Sequence, residues 1–363
     1  MDSHFYAVIM AGGGGTRLWP VSRKQSPKQM LRIFENQSLF QLAVARLSGL
    51  FPPERIFVVT LAEQADSLQA ECPELPIENF LIEPAPRGTA SVVGLAASFI
   101  KYKDREAVMA VLTADHIIEN TELFQHLLTT AGEIAGKDYL VTLGIEPTYP
   151  STGYGYIESG KSLKGKFDLP AHEVIRFIEK PDEQKAGQFL TKGGYFWNSG
   201  MFIWKVDRIL EEFELQMPVL KETLDLLYSV MGGPNYKELL DKEWLRITPQ
   251  TIDYGIMENA AYVAVLPVKD LGWSDVGSWD SLFDFLERDN QGNVVFGKNQ
   301  ITIETKNSII YQSTSNRLTV AMGLDDIVII DTDDALLVCK RGETQKVRQI
   351  VELLKQKKMQ NYL

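Results

Sequence analysis

Cysteine is nearly absent: Cys72 and Cys339 are the only two in 363 residues, far apart and outside any Cys-x-x-Cys pair. That excludes a disulfide framework and a thiolate metal cage, and both residues are expected to be buried thiols. Histidine is almost as rare, at His4, His116, His126 and His172, which leaves little room for a histidine-dependent mechanism. No Gly-x-Ser-x-Gly run announces a serine nucleophile. No apolar run approaches bilayer-spanning length, and Phe5 to Met10 is too short for a secretory signal core, so a cytosolic location is expected. Positive charge is in deficit as well. A net charge of -11 and a pI near 5.0 argue against nucleic acid or an anionic membrane as the main partner, because those select broad basic surfaces. Internal repeats and low-complexity tracts are also missing.

One stretch reverses the charge balance. Between Asp2 and Glu35 there is no acidic residue, while Arg17, Arg23, Lys24, Lys28 and Arg32 are all cationic. The same stretch holds Ala11-Gly12-Gly13-Gly14-Gly15-Thr16-Arg17-Leu18-Trp19-Pro20, directly after the strand-like Phe5 to Met10. Glycines let bare backbone N–H groups approach phosphate oxygens, and the cations supply the charge those oxygens need, so a nucleoside triphosphate cradle is expected. It is not the dinucleotide fingerprint, because Leu18 stands where a third glycine is required after Gly13 and Gly15. Nor is it a P-loop, whose Lys-Ser/Thr pair is replaced by Thr16-Arg17.

Apolar runs of strand length alternate with helix-period segments: Phe5 to Met10, a helix over 38–50, Ile56 to Thr60, Phe80 to Ile82, a helix over 89–102, and Ala107 to Leu112. This is βαβ grammar, and it predicts an α/β fold with a Rossmann-like, mostly parallel sheet whose ligands sit beyond the carboxyl ends of the strands. After Asp289 the pattern changes to short β runs punctuated by turns, then a basic amphipathic helix over 344–357 whose lysines are read as a solvated face. The expected division is a catalytic domain over 1–288 and a small β-rich domain over 289–363.

Asp115 follows a strand and Asp275 lies in a Gly- and Trp-rich run, Gly272 to Asp280. Two carboxylates beside phosphates make a magnesium site, since that hard ion takes oxygen ligands; the bland readings are a helix N-cap for Asp115 and a turn residue for Asp275. His116 is read as structural. Glu179 and Lys180, ending a strand before Pro181, offer an acceptor for a sugar hydroxyl and a cation for a sugar phosphate. Asn198 adds an amide, and Gly155 a bare backbone.

These segments together resemble the sugar-1-phosphate nucleotidyltransferases, most nearly the branch that transfers guanylyl groups to mannose 1-phosphate. The resemblance runs from about Phe5 to Leu354 and rests on AGGGGTRLWP with SRxxxPKQ, EPAPRGTA from Glu83, TADH from Thr113, TGYGYI from Thr152, FIEKP from Phe177, WNSGMF from Trp197, IDYGIME from Ile252 and WSDVGSWD from Trp273. It implies attack of a sugar phosphate oxygen on the α-phosphorus of GTP with release of pyrophosphate, a reaction whose nucleophile is already an anion. It implies Arg17 and Lys28 as catalytic cations, Gly12, Gly13, Gly15, Thr16, Glu83, Gly88 and Asp115 at the nucleotide, Gly155, Glu179, Lys180 and Asn198 at the sugar phosphate, and Asp115 with Asp275 on magnesium. Glu83 would read guanine, since a carboxylate accepts from both N1–H and the 2-amino group.

The chain departs from the family pattern at Gly88, usually Asn, and at Thr113, usually Pro, which puts an Asn contact to the nucleotide in doubt. Short members place a left-handed β-helix after the catalytic domain and often form homodimers. Many bacterial members continue into a cupin with isomerase activity; the residues here leave no room for one, so that activity is not expected. Two alternatives stay open: the same chemistry with another hexose 1-phosphate or nucleoside triphosphate, and a non-catalytic paralogue that binds a sugar nucleotide.

Overall fold

A computed structural model describes residues 3–13, 15–34, 37–313 and 317–363. Its chain forms two compact units, one made of residues 1–12, 41–114 and 118–273, the other of 13–40, 115–117 and 274–363.

The first unit is built on nine strands: β1 Phe5–Met10, β2 Ile56–Leu61, β3 Phe80–Glu83, β4 Val108–Thr113, β5 Leu140–Ile145, β6 Tyr156–Ser162, β7 His172–Ile178, β8 Tyr195–Lys205 and β9 Val263–Val268. Their order is β3-β2-β1-β4-β8-β5-β9-β7-β6, with β6 also pairing β8. Seven of the nine point the same way; β7 and β8 run against them. The parallel strands β1, β2 and β4 read as continuous apolar runs because both of their faces are covered. On one face lies the helix Thr89–Lys103, against which the helix Pro218–Ser229 packs so closely that a Cβ on Gly94 would meet Leu224 Cδ1 at 2.6 Å. Val8, Phe57, Val93, Met109, Trp204 and Phe213 are all fully inside this core.

The helix expected over 38–50 is shorter, Leu39–Ala45, and gives way to turns that reach a left-handed Gly49 (φ 83°). Two further helices, Ala62–Glu71 and Thr121–Ala135, complete the alternation. The first is polar enough that no apolar stripe marks it.

In the second unit, six short strands wind as coils: β10 Val294–Phe296, β11 Gln300–Ile303, β12 Ile309–Gln312, β13 Thr319–Met322, β14 Ile327–Asp331 and β15 Leu336–Lys340. β10, β12 and β14 form one parallel ladder and β11 with β13 a second, while β15 closes the first ladder antiparallel to β14. Buried Asn293 ties successive coils, donating to Thr305 O at 2.7 Å and accepting from Ser308 N at 3.1 Å. The terminal helix Val347–Gln356 buries Val347 and Val351 and packs on the short turn Thr16–Leu18 of the glycine loop.

Candidate active site

In the second unit, the glycine loop, the Asp115 carboxylate and the main chain of Asp275 gather on one lysine. Lys28 is 7% exposed, and its Nζ donates to Asp115 Oδ2 at 2.7 Å and to the main-chain oxygen of Asp275 at 2.5 Å. Gly15 makes this possible: its backbone is left-handed (φ 56°), and a Cβ there would lie 2.1 Å from Lys28 Cβ. Its carbonyl is held in turn by the Ser22 hydroxyl at 2.5 Å. Burial pushes the Asp115 carboxyl up, but the Lys28 ammonium and His116 pull it further down, so it sits below the usual carboxylate range. Asp115 is therefore an ion-paired strand-end carboxylate rather than a helix cap. His116 is buried beside it, with Nε2 at 4.0 Å from Asp115 Oδ1.

The Asp275 turn carries backbone strain. Val276, wholly buried, has φ 48°, a region that β-branched side chains rarely enter. Two local hydrogen bonds hold it there, from Val276 N to Ser274 Oγ at 3.1 Å and from Gly277 N to Asp275 Oδ1 at 3.0 Å. Thr16 and Gly13 are exposed, Arg17 is half-buried, and among the described residues Arg17 makes no ion pair.

In the first unit, Gly12 and Glu83 face each other. Gly12 follows β1 and Glu83 ends β3; a Cβ on Gly12 would come within 2.6 Å of Glu83 Oε1. Glu83 is 3% exposed, and its Oε2 has no hydrogen-bond partner among the described residues. Burial lifts its carboxyl to about 7, against the pull of the Arg87 main-chain N–H. At Gly88 (φ 81°) a Cβ would sit 2.2 Å from Gln250 O, so the asparagine usual in the family could not fit this backbone. Thr113, at the end of β4, has a buried hydroxyl oxygen without a partner among the described residues.

A second cluster in the first unit contains the expected sugar residues. A Cβ on Gly155 would meet Glu179 Oε2 at 2.7 Å and Asn198 Cβ at 3.5 Å, and Asn198 N donates to Gly155 O at 2.8 Å. Asn198 lies where the β8–β5 register breaks, between Asn198 and Phe202, the kind of irregularity that re-aims a side chain. Glu179 pairs with Lys180, whose own backbone is left-handed (φ 41°) just before Pro181. Asp253, part of the IDYGIME run but without an expected role, accepts from Asn198 Nδ2 at 2.6 Å.

Among the described residues no group of three or more His, Cys, Asp or Glu side chains forms a cage. Asp115 and the Asp275 turn, both held on Lys28, still suit a hard ion that needs only one or two carboxylates and fills the rest of its shell with water and phosphate.

A nucleotidyl transferase family model matches residues 6–292, and a MannoseP isomerase/GMP-like beta-helix domain matches residues 298–354. The chain belongs to the nucleotidyl transferase family. A mannose-1-phosphate guanylyltransferase of Escherichia coli is 37% identical over 98% of this chain and 76% of its own length. One from Klebsiella pneumoniae is 36% identical over 98% of this chain and 75% of its own. Among solved structures, one described as a mannose-1-phosphate geranyltransferase from Thermus thermophilus superimposes with a TM-score of 0.86 at 31% identity, covering 97% of this chain and 99% of that one. The match to the beta-helix domain accounts for the short strands after Asn293 as coils of a β-helix. Among the described residues no helix is long and apolar enough to cross a membrane.

Proposed function

We propose that this nucleotidyltransferase moves GMP from GTP to mannose 1-phosphate, forming GDP-mannose and pyrophosphate. The observation that carries the reading is Lys28, fixed by Gly15 and bonded to both Asp115 and the Asp275 turn; the activity for which the relatives are named supplies the substrates.

The nucleophile is the sugar phosphate's own oxygen, so no side chain has to remove a proton. What the protein must do is bring two polyanions into line and offset their charge. Arg17 and Lys28 do this at the triphosphate, with the loop amides of Gly12, Gly13, Gly15 and Thr16 around it. Asp115 and Asp275 would hold magnesium, which when bound supplies positive charge to the phosphates. Lys180 takes the sugar phosphate, while Glu179, Asn198 and the Gly155 backbone place the sugar. Glu83 accepts from guanine N1–H and the 2-amino group, which would give its unpartnered oxygen a donor. Gly88 contributes backbone only.

The same reading assigns catalysis to 1–288 with an appended domain over 289–363, a cytosolic location, and a homodimer. For a second copy, Ile301 and Ile303 lie in register with Val320 and Met322, all four exposed on one face.

Pyrophosphate release decides the substrates. With magnesium and five nucleotides (GTP, ATP, UTP, CTP, dTTP) against mannose and glucose 1-phosphates, strong release is expected only for GTP with mannose 1-phosphate. Another preferred pair replaces the substrates, and silence with every pair leaves the non-catalytic paralogue. Asp275→Asn keeps an oxygen for the Gly277 N–H and should fold, yet lose about a hundredfold or more in turnover; retained activity would remove Asp275 from the metal.

A further inference from the structure

The amide of Asn198 is held from both ends. Its Oδ1 accepts from Gly200 N at 3.0 Å, and its Nδ2 donates to Asp253 Oδ1 at 2.6 Å. The two ends of an asparagine amide are alike in shape and opposite in hydrogen bonding, so a side chain with only one anchor leaves its other end free to choose. With two anchors, one N–H of Nδ2 is left in a fixed direction. It lies beside Gly155, whose missing Cβ would be 3.9 Å from Nδ2, and beside Glu179, whose Oε2 is 2.7 Å from that same point.

The second anchor comes from an unusual piece of backbone. Asp253–Met257 is a π-helix, a form that is rare and concentrated at functional sites. It follows Thr251 and Ile252, where Ile252 N donates to Thr89 Oγ1 at 2.9 Å, so the segment that brings Asp253 to Asn198 is pinned to the start of the helix Thr89–Lys103. Burial raises the Asp253 carboxyl above the ordinary carboxylate range, against the pull of the Asn198 amide.

We propose that Asp253 is a positioning residue of the sugar half-site: by fixing the Asn198 amide it sets which sugar hydroxyls can be bound between a fixed N–H donor and the Glu179 carboxylate. A hydroxyl both donates and accepts, so this pair recognises a hydroxyl by its direction as well as its presence, and sugars that differ at one carbon present that hydroxyl differently. The inference rests on the sugar assignment given above for Glu179, Asn198 and Gly155.

A double-mutant cycle on the full chain tests it, with GTP and sugar 1-phosphate varied separately. Asp253→Leu removes the acceptor. It is expected to raise KM for the sugar phosphate about tenfold, leave KM for GTP within twofold, and narrow the preference for the best sugar over its epimer. Asp253→Asn keeps an oxygen for Asn198 Nδ2 and is expected to stay within threefold of wild type. Asn198→Ala with Asp253→Leu should be no worse than Asn198→Ala alone. Additive losses, equal losses for GTP and sugar, or an Asp253→Asn variant as poor as Asp253→Leu would each overturn the proposal. If Asp253→Leu does not fold, as judged by loss of GTP-induced thermal stabilisation, Asp253→Ser takes its place in the cycle. Should wild type prefer another hexose 1-phosphate, the substrate reading falls, and the cycle run on that sugar still decides Asp253.

Discussion

At Gly15 a methyl group would have to occupy a point 2.1 Å from Lys28 Cβ, on a left-handed backbone. Either the loop or the lysine must move, and Lys28 is the group that ties Asp115 to the Asp275 turn. Gly15→Ala is expected to cost about 1–3 kcal/mol of stability and most of the activity; a steady-state assay with a melting curve checks both, and normal kinetics would mean that the loop does not fix Lys28. At this scale the sequence was informative where chemistry and spacing coincide. The glycine run, Lys28, Asp115, Glu179 and Asn198 could all be picked out, because each belongs to a short run of unusual residue types. Asp253 could not: an aspartate before Tyr-Gly is indistinguishable from a solvated one until the fold brings Asn198 to it. Nor could the close approach of Gly12 to Glu83, which belongs to strands β1 and β3 rather than to any motif.

Among elements, the loop after β1 shows most clearly what sequence can and cannot separate. Five cations are visible there; Arg17 and Lys28 stand out as phosphate ligands, and the other three carry no role beyond the local charge. The structure divides them: Arg23 reaches into the coil domain, its two Nη atoms on the Asp334 carboxylate at 2.6 and 2.5 Å and one of them on Thr332 Oγ1 at 3.4 Å. Nearby, Trp19 Nε1 donates to Tyr362 O at 2.7 Å. Arg23 thus anchors the loop. Arg23→Ala and Asp334→Ala should each raise KM for GTP several-fold, leave KM for the sugar phosphate alone, and show no further loss when combined. A double variant twice as impaired as either single would make Arg23 a phosphate ligand after all. The polar helix Ala62–Glu71 was illegible for the opposite reason: its stability comes from tertiary contact, and its surface gives no periodic signal.

For the molecule as a whole, the sheet and the appended coils were legible, since alternating strand and helix periods, then short β runs, are global patterns. Balance of charge across pH was not, because it depends on burial. Glu83 ordinarily titrates near 4.5 and is lifted to about 7 in the fold. The native state therefore keeps a proton that the unfolded chain has released, and this contribution, complete below pH 4.5, is lost as pH rises through 7; it amounts to about 3 kcal/mol. Other carboxylates oppose it. Glu158, hydrogen-bonded by Tyr195, Arg176 and Lys192, falls to about 2, and Arg23 depresses Asp334. Burial works against Asp104, but bonds from His4, the Glu106 N–H and Tyr6 still hold it low. Their contributions are present above the ordinary carboxylate range and disappear as pH falls through the depressed values. The unliganded protein should thus melt highest near about pH 5 and lose several degrees by about pH 7.5, whereas Glu83→Gln should lose far less over that interval; parallel melting curves would detach Glu83 from the effect.

The bond between Trp19 and Tyr362 spans 343 positions of sequence, and with Arg23 and Asp334 it joins the glycine loop to segments made much later than it. On the ribosome Arg23 is made 311 residues before Asp334, and Trp19 is made 343 residues before Tyr362. While the intervening residues are being made the nascent chain carries the loop without its braces, and these contacts form only after Tyr362 has emerged from the exit tunnel.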